Sequence, residues 1–289
     1  QAGRDVLVAN KGGVWLALGA TIPFVRRSCG YVGRSDGWTD LADNYAMDWE
    51  FDVAEDGNIA LTGQLDIAVA QEFVLGLAFG NSQHDALNTL IQSLSVPFAA
   101  HRDLFVAQWK SAGENSERLD HCSGDGARLY HVSRSLLLAH EDKTYPGAMI
   151  ASLSIRWGET KGDEDLGGYH LVWPRDMVNS ATGLLASGNV NLPLRALIYL
   201  ASAQQPDGGF YQSFWIDGDP YWRGIQLDEV AFPILLAWRL HDANALRDFD
   251  PYPMVLRAAT YLVREGPPTP QERWEENSGF SPSTLAVHI

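Results

Sequence analysis

The sequence has few cysteines: Cys29 and Cys122 are the only two among 289 residues. They lie far apart, without the close cysteine spacing of a metal-binding motif, so one disulfide and two free thiols are both compatible with the pair. The eight histidines are scattered too, without the close pairs of a zinc site. The sequence therefore predicts no transition-metal cofactor.

Basic residues and long apolar runs are also scarce. The 21 Lys and Arg residues face 36 Asp and Glu residues, giving a formal net charge of −15, so nucleic acid and anionic membrane are not expected as partners. No apolar run reaches the roughly 18 residues of a membrane span. No signal peptide opens the chain, and its first residue is Gln rather than Met. We therefore expect a processed or truncated piece that binds a neutral ligand.

Apolar residues, by contrast, make up 46% of the chain, with ten Trp, ten Tyr and eleven Phe. This fraction is sufficient for a hydrophobic core, and the length is sufficient for two domains. Core packing accounts for most aromatic side chains, although polysaccharide sites also use such flat faces.

Apolar residues alternate with period two over about the first 80 positions, which predicts an antiparallel β unit. The strands are predicted near residues 6–8, 14–18, 46–51, 59–67 and 73–79. Residues 29–40 are rich in Gly, Asp and aromatic residues, so we predict a loop there, either packed locally or reaching towards the second unit.

From residue 81 onward the apolar period is helical. Pro233 lies inside one pattern, so that helix is either kinked or begins later than the pattern suggests. Long aromatic and polar loops, as one rim of an α/α toroid would carry them, are predicted at residues 157–175, 206–226 and 267–280. Helices are predicted at residues 129–140, 177–186, 194–201, 227–238 and 255–262.

Two adjacent carboxylates, Glu275 and Glu276, stand beside Trp274 in the last of these loops. Ser281 can cap the helix that follows, with Pro282 in its first turn. A flat indole suits a sugar ring, and apolar packing keeps a nearby carboxyl neutral, as a general acid requires. An isolated Glu-Glu pair is more often a solvated acidic loop.

Polar residues also stand at two earlier helix starts. Asp176 beside Arg175 could cap its helix with a surface ion pair, or accept two sugar hydroxyls. Gln226 and Asp228 follow Trp222, and Asp228 could simply complement the helix dipole.

Four segments stand in a recognisable order. They are Tyr-His-Leu-Val-Trp-Pro-Arg-Asp at 169–176, Gln-Pro-Asp-Gly-Gly at 205–209, Gln-Leu-Asp-Glu at 226–229, and Arg-Trp-Glu-Glu at 273–276 with Ser-Pro-Ser-Thr at 281–284. Together they resemble the inverting glucoamylase and glucodextranase family, glycoside hydrolase family 15. Residues 31–41 also resemble a loop of the β-sandwich domain that precedes the catalytic barrel in bacterial members.

The resemblance implies a β-sandwich portion followed by part of an (α/α)6 barrel, as a fragment of a larger two-domain protein. The implied parts are the C-terminal half of the β-sandwich at residues 1–85, a helical linker at 86–118 and the N-terminal half of the barrel at 119–289. Because a cut barrel and an open β edge expose pairing and apolar surfaces, the remainder of the polypeptide is expected to pack here as a separate chain or fragment.

The resemblance also implies residue roles. Glu275 matches the general acid, and Glu276 matches a neighbouring acid that binds sugar hydroxyls. Arg175 and Asp176 match the pair that grips the terminal glucose. Tyr169 and Trp173 match residues that line the pocket of that glucose. The residues that match further subsite walls are Trp222, Gln226, Asp228 and Trp274.

The implied reaction is exo-hydrolysis of an α-glucan from its non-reducing end, releasing β-D-glucose. Inversion needs a second carboxylate as base, roughly 6.5–9.5 Å from the acid. In the family that base lies on a later helix pair, so it is expected outside this chain. The alternatives are a carbohydrate-binding or regulatory relative without hydrolysis, and an α/α-barrel enzyme for another sugar.

Linkage, cofactor and location follow less directly. The glucodextranase-like loop slightly favours dextran-type α-1,6 bonds over starch-type α-1,4 bonds. No cofactor is expected, although the acidic run at 158–165 could either bind structural calcium or simply be solvated. A polysaccharide substrate and the acidic composition favour an extracellular or periplasmic location.

Overall fold

The computed structural model describes residues 5–113, 117, 119, 121, 123–154 and 167–289. The chain forms two compact units, Gln1–Lys110 and Ser111–Ile289. Cys122 and the acidic run at 158–165 lie outside the described residues.

The first unit contains two antiparallel sheets, so the predicted antiparallel β unit is confirmed. One sheet has the strand order β1-β2-β5, and the other pairs β3 with β4. The tight turn between β1 and β2 uses Gly12 and Gly13, both with positive φ, a conformation that glycine adopts without steric cost. The strands are β1 (Leu7–Lys11), β2 (Val14–Ala20), β3 (Phe24–Tyr31), β4 (Ile59–Leu65) and β5 (Leu75–Gly80).

The strand predicted at residues 46–51 is wrong. The Asp40 carboxylate accepts the backbone N–H groups of Asp48 and Trp49, each at 2.9 Å. Those N–H groups are therefore not available to a strand ladder, because a local side chain competes for them. Alternating apolar residues alone do not reveal this competition.

The loop predicted at residues 29–40 is confirmed only at residues 32–36, which form a turn. Its first residues complete β3, and its last residues begin helix α1 (Gly37–Asn44). Asp36 caps this helix by accepting the backbone N–H groups of Trp38 and Thr39. The sequence signal for this helix was therefore Asp36, because Asp is a preferred N-cap residue.

Helix α2 (Gln83–Ser95) covers one face of the three-stranded sheet. Its Leu90 packs with the strand residues Ala17 and Ala78 in a common core. The first part of the predicted linker therefore packs as core of the first unit. In contrast, every residue of helix α3 (Phe98–Gly113) is at least partly exposed.

The second unit is helical, and each α-helix that the structure describes there follows a predicted pattern. Helix α7 packs against α5, α6, α8 and α9, so it lies at the centre of the unit. The helices are α4 (Arg128–Ala139), α5 (Pro174–Ala186), α6 (Asn191–Ala203), α7 (Leu227–Asp242), α8 (Tyr252–Glu265) and α9 (Pro282–His288). A small hairpin of β6 (Ser213–Phe214) and β7 (Pro220–Trp222) stands between α6 and α7.

Helix α7 begins at Leu227 with Pro233 inside it, so the alternative of a later start is wrong. Leu236 and Leu240 of this helix are completely buried and pack in one core with Leu197. Burying such a side chain contributes about 1.5–3 kcal/mol. This core fixes the start of α7, which carries several polar residues of the candidate site. Among the described residues, no helix is long and apolar enough to cross a membrane.

Candidate active site

A polar cluster forms where the first turns of α5 and α7 meet. The side chain of Arg175 is 8% exposed, and its Nη1 lies 3.1 Å from Asp228 Oδ2 and 2.8 Å from Glu229 Oε1. Its Nη2 lies 3.5 Å from Asp176 Oδ2, and Nη1 also donates to Gln226 Oε1 at 2.9 Å. Three carboxylates and one amide therefore surround this buried guanidinium. A buried charge requires such partners, because it has lost its contact with water.

Glu229 is a site residue that the sequence analysis missed. It is completely buried and accepts the backbone N–H of Arg175 at 2.6 Å. Burial raises the pKa of the Glu229 carboxyl well above its usual value; the Arg175 guanidinium opposes this rise, and the Asp228 charge adds to it. The available signal was its position, because it ends the Gln-Leu-Asp-Glu segment in the first turn of a helix.

The predicted polar residues of this cluster differ in exposure. The Asp176 side chain is 44% exposed, so it remains accessible to a ligand. Gln226 and Asp228 are only 0% and 2% exposed, and both bond Arg175. Both residues therefore support the guanidinium, and their expected role as subsite walls stays a prediction. Asp176 does not cap α5, whose N-cap is Trp173.

Aromatic residues that precede the two halves of this cluster in the sequence form a row of rings in the structure. The ring centroids of Tyr169 and Trp173 are 6.2 Å apart, and those of Trp173 and Trp222 are 6.1 Å apart. The row continues through Tyr221 to Trp215, at 5.4 and 5.6 Å. The structure therefore brings together three of the four predicted aromatic residues and adds Tyr221 and Trp215. Tyr169 is 46% exposed, whereas Trp173 is 5% exposed.

The loop before α9 carries the predicted acids. Paired backbone hydrogen bonds of 2.8 and 2.9 Å between Thr269 and Gly279 close this loop. Within it, the Glu275 N–H donates to Glu272 O at 2.9 Å. Glu275 has a φ of 67°, a left-handed conformation that costs a residue other than glycine about 1–2 kcal/mol. Such strain is typical of functional sites, where the surrounding structure imposes it.

The partner of the Glu275 carboxylate is an amide. Gln212 Nε2 donates to Glu275 Oε1, and Gln212 itself is 3% exposed. Sequence reasoning missed Gln212, because nothing in its local pattern marks it apart from its place in an aromatic loop. Trp274 is 74% exposed and lies under the Arg273 guanidinium. The apolar surface expected against the acid is therefore replaced by a polar contact.

Glu276 is exposed next to Glu275. Its backbone N–H donates to Glu272 Oε1 at 3.1 Å. This bond holds the backbone of the turn and leaves the Glu276 side chain on the outer surface of the loop.

Gln226 connects the guanidinium cluster with the acidic loop. Its Oε1 accepts from Arg175, and its Nε2 donates to Glu272 O at 3.3 Å. The neighbouring Leu227 N–H donates to Thr269 Oγ1 at 3.2 Å. The start of α7 thus positions both the arginine of α5 and the loop that presents Glu275.

The described residues also include possible metal ligands and one cysteine. Within the described part of the chain, no group of three His, Cys, Asp or Glu side chains is arranged to hold a metal ion. The calcium site considered at 158–165 lies outside it. Cys29 is a free thiol in β3, and burial raises its pKa; its predicted alternative partner, Cys122, is not described.

The family model of glycosyl hydrolases family 15 matches residues 126–204 and 207–289. These residues make up more than half of the chain and include every predicted site residue. The chain belongs to glycosyl hydrolases family 15. Ahead of this match, residues 1–112 match domain N of glucodextranase.

Two glucoamylases are similar to this family 15 chain over almost its whole length. It is 39% identical over 287 residues to a glucoamylase from Clostridium sp. (strain G0005), covering 99% of this chain and 40% of the relative. The crystal structure of a bacterial glucoamylase complexed with acarbose matches with a TM-score of 0.88 and 37% identity, covering 98% of this chain and 41% of that one. The chain therefore spans about two fifths of the length of both relatives.

Proposed function

We propose that the full-length protein is an inverting, exo-acting α-glucan hydrolase that releases β-D-glucose from non-reducing ends. One observation carries this proposal: in a family 15 chain, Gln226 joins the Arg175 cluster to the loop that presents Glu275. A pocket for a terminal sugar and a proton donor for its glycosidic bond are the two parts that such a reaction needs on this side of the substrate.

In this proposal Glu275 protonates the glycosidic oxygen. Asp176, which is accessible beside the buried Arg175, accepts hydrogen bonds from hydroxyls of the terminal glucose, because an ionised carboxylate is an acceptor only. Tyr169 offers an exposed ring to the apolar face of that sugar. The exposed Glu276 and Trp274 bind the sugar on the leaving side.

Inversion also needs a carboxylate that activates water on the opposite face of the sugar. We propose that this base comes from the remainder of the polypeptide, on a later helix pair. The second unit is then the N-terminal half of an (α/α)6 barrel, and the first unit is part of a β-sandwich. The two-fifths span relative to both glucoamylases supports this proposal.

For the linkage, we propose a starch-type α-1,4 preference. Both relatives above are glucoamylases, which outweighs the slight dextran-type preference suggested by residues 31–41. The proposed reaction uses no cofactor. A polysaccharide substrate favours an extracellular or periplasmic location of the full-length protein.

The test is Glu275→Gln in the full-length protein, with glucose release measured from maltotriose and isomaltotriose. General acid catalysis contributes about 10²–10⁴-fold, so kcat on the preferred substrate is expected to fall by that range. Glu265→Gln is the matched control, since Glu265 pairs with Arg264 at the exposed end of α8, and it should leave kcat unchanged.

Undiminished glucose release by Glu275→Gln would remove Glu275 from the mechanism. Binding of both sugars by the wild-type protein without glucose release would instead identify a carbohydrate-binding relative. A faster rate with isomaltotriose than with maltotriose would reverse the proposed linkage.

A further inference from the structure

We infer that Gln212 is a positioning residue that holds the Glu275 carboxyl in place for proton donation, an inference that rests on the proposed function of Glu275. Gln212 is 3% exposed, and its Nε2 donates to Glu275 Oε1. Among the described residues it makes the one hydrogen bond to this carboxylate.

An exposed acid on a loop needs such a partner. Glu275 lies on the surface in a left-handed turn, where its backbone is fixed by the bond to Glu272 O but its side chain is not. A free Glu side chain has rotamer freedom equivalent to about 1.5–2 kcal/mol. A buried amide that bonds one carboxyl oxygen restricts this freedom.

The amide itself is held by close packing. Gln212 Oε1 and Gln271 Oε1 both lie close to the Cα of Gly224, where a Cβ would meet them, so a side chain at this position would displace the two amides. The next residue but one, Phe214, is 1% exposed and forms a backbone bridge with Val172. Backbone pairing and packing thus fix the direction from which Gln212 meets Glu275.

The bond also decides which carboxyl oxygen carries the proton. An amide N–H needs an acceptor, and in a protonated carboxyl the carbonyl oxygen is the better acceptor. Oε1 of Glu275 is therefore the carbonyl oxygen, and Oε2 carries the proton. During the reaction the Oε2–H bond breaks, an O–H bond forms at the glycosidic oxygen, and the sugar C1–O electron pair goes to that oxygen. The same amide then bonds a carboxylate, and hydrogen bonds to charged acceptors are stronger.

The test compares Gln212→Leu with wild type in the full-length protein on two substrates. Maltotriose has a leaving oxygen that must be protonated, whereas α-D-glucosyl fluoride releases fluoride without this proton. Misplacement of a reacting group by about 1 Å can cost about 10²-fold. We expect a loss of kcat of this size on maltotriose, with a change below about threefold on the fluoride.

Two further variants support the comparison. Gln205→Leu is the matched control, since Gln205 lies in the same connection and bonds the backbone of Ala203, and it should change neither substrate. Gln212→Glu keeps the shape but places an acceptor against the carboxylate, so it should reproduce the selective loss if Gln212→Leu does not fold.

Measuring Glu275→Gln on both substrates separates the two proposals. Selective loss on maltotriose in Glu275→Gln, but not in either Gln212 variant, would overturn the inference and leave the proposed role of Glu275 intact. Equal loss on both substrates in the Gln212 variants would show a merely structural role and also overturn the inference. Absence of selective loss in Glu275→Gln would overturn the proposed role of the acid, and the inference with it.

Discussion

Arg175 supplies the positive charge around which the residues of the first polar cluster are arranged. Asp228 and Glu229 meet it from α7, and Asp176 from its own helix. Because Asp228 and Glu229 are buried with this single guanidinium, removal of Arg175 would leave them without their cationic partner, and breaking a buried ion pair in this way costs about 3–5 kcal/mol. Asp176, the proposed sugar-binding residue, therefore lies beside a guanidinium that is held in place by α7.

Glu229 predicts a pH dependence of stability. Burial raises its pKa in the folded protein, whereas in the unfolded chain a Glu titrates near about 4.3. The folded state therefore binds the Glu229 proton more tightly than the unfolded chain does. The resulting contribution to the free energy of unfolding is complete below about pH 4.3 and is lost as the pH rises through the folded pKa. In the wild type this contribution makes the free energy of unfolding decline as the pH rises. We expect Glu229→Gln to flatten that decline, as measured by urea unfolding of the full-length protein at several pH values.

Glu265→Gln serves as control here as well, since Glu265 is exposed at the end of α8, and it should keep the wild-type slope. A slope that Glu229→Gln leaves unchanged would mean that Glu229 titrates as an exposed acid does, contrary to its burial.

Residue types at the site were predictable from the sequence, but their partners were not. The Arg-Asp and Glu-Glu pairs stood out beside tryptophans. The bond between Gln212 and Glu275 joins residues 63 positions apart, and only tertiary packing creates it. Trp274 was expected to cover its sequence neighbour, yet adjacent side chains diverge, and its ring is 74% exposed.

At the scale of elements, helices with an apolar face were predicted well. Helix α1 was missed, because Trp38 in its first turn and Tyr45 at its C-cap are 82% and 92% exposed instead of forming an apolar face. Its real signal is the Asp36 cap. Helix α2 was predicted as part of a linker, since a helical period does not tell which surface the helix covers. The division of the chain at residues 85 and 118 stays a prediction.

The packing of α2 on its sheet predicts the effect of Leu90→Ala. Leu90 is 1% exposed, and truncating such a buried leucine costs about 2–5 kcal/mol. The opening free energy of β2 and β5 amides, measured by hydrogen exchange, should fall by that amount. Leu104→Ala on α3, where Leu104 is 72% exposed, should change it by less than about 0.5 kcal/mol. Equal effects of the two variants would contradict the packing described here.

At the scale of the whole molecule, the chain contains one of the two carboxyl groups that the proposed inverting reaction needs. It holds the proposed proton donor and the proposed terminal-sugar cluster, and it spans about two fifths of the length of two glucoamylases. The net charge of −15 suits a neutral glucan better than a polyanion. The base that completes inversion is proposed to lie in the remaining polypeptide.

Anomer-resolved proton NMR of the full-length protein acting on maltotriose tests this proposal most directly. An inverting enzyme adds water to the face opposite the leaving group, so β-glucose should appear first and convert to α-glucose by mutarotation. Glu275→Gln should abolish the β-glucose signal. Initial release of α-glucose, or of no glucose from a bound substrate, would contradict the proposed inverting hydrolysis.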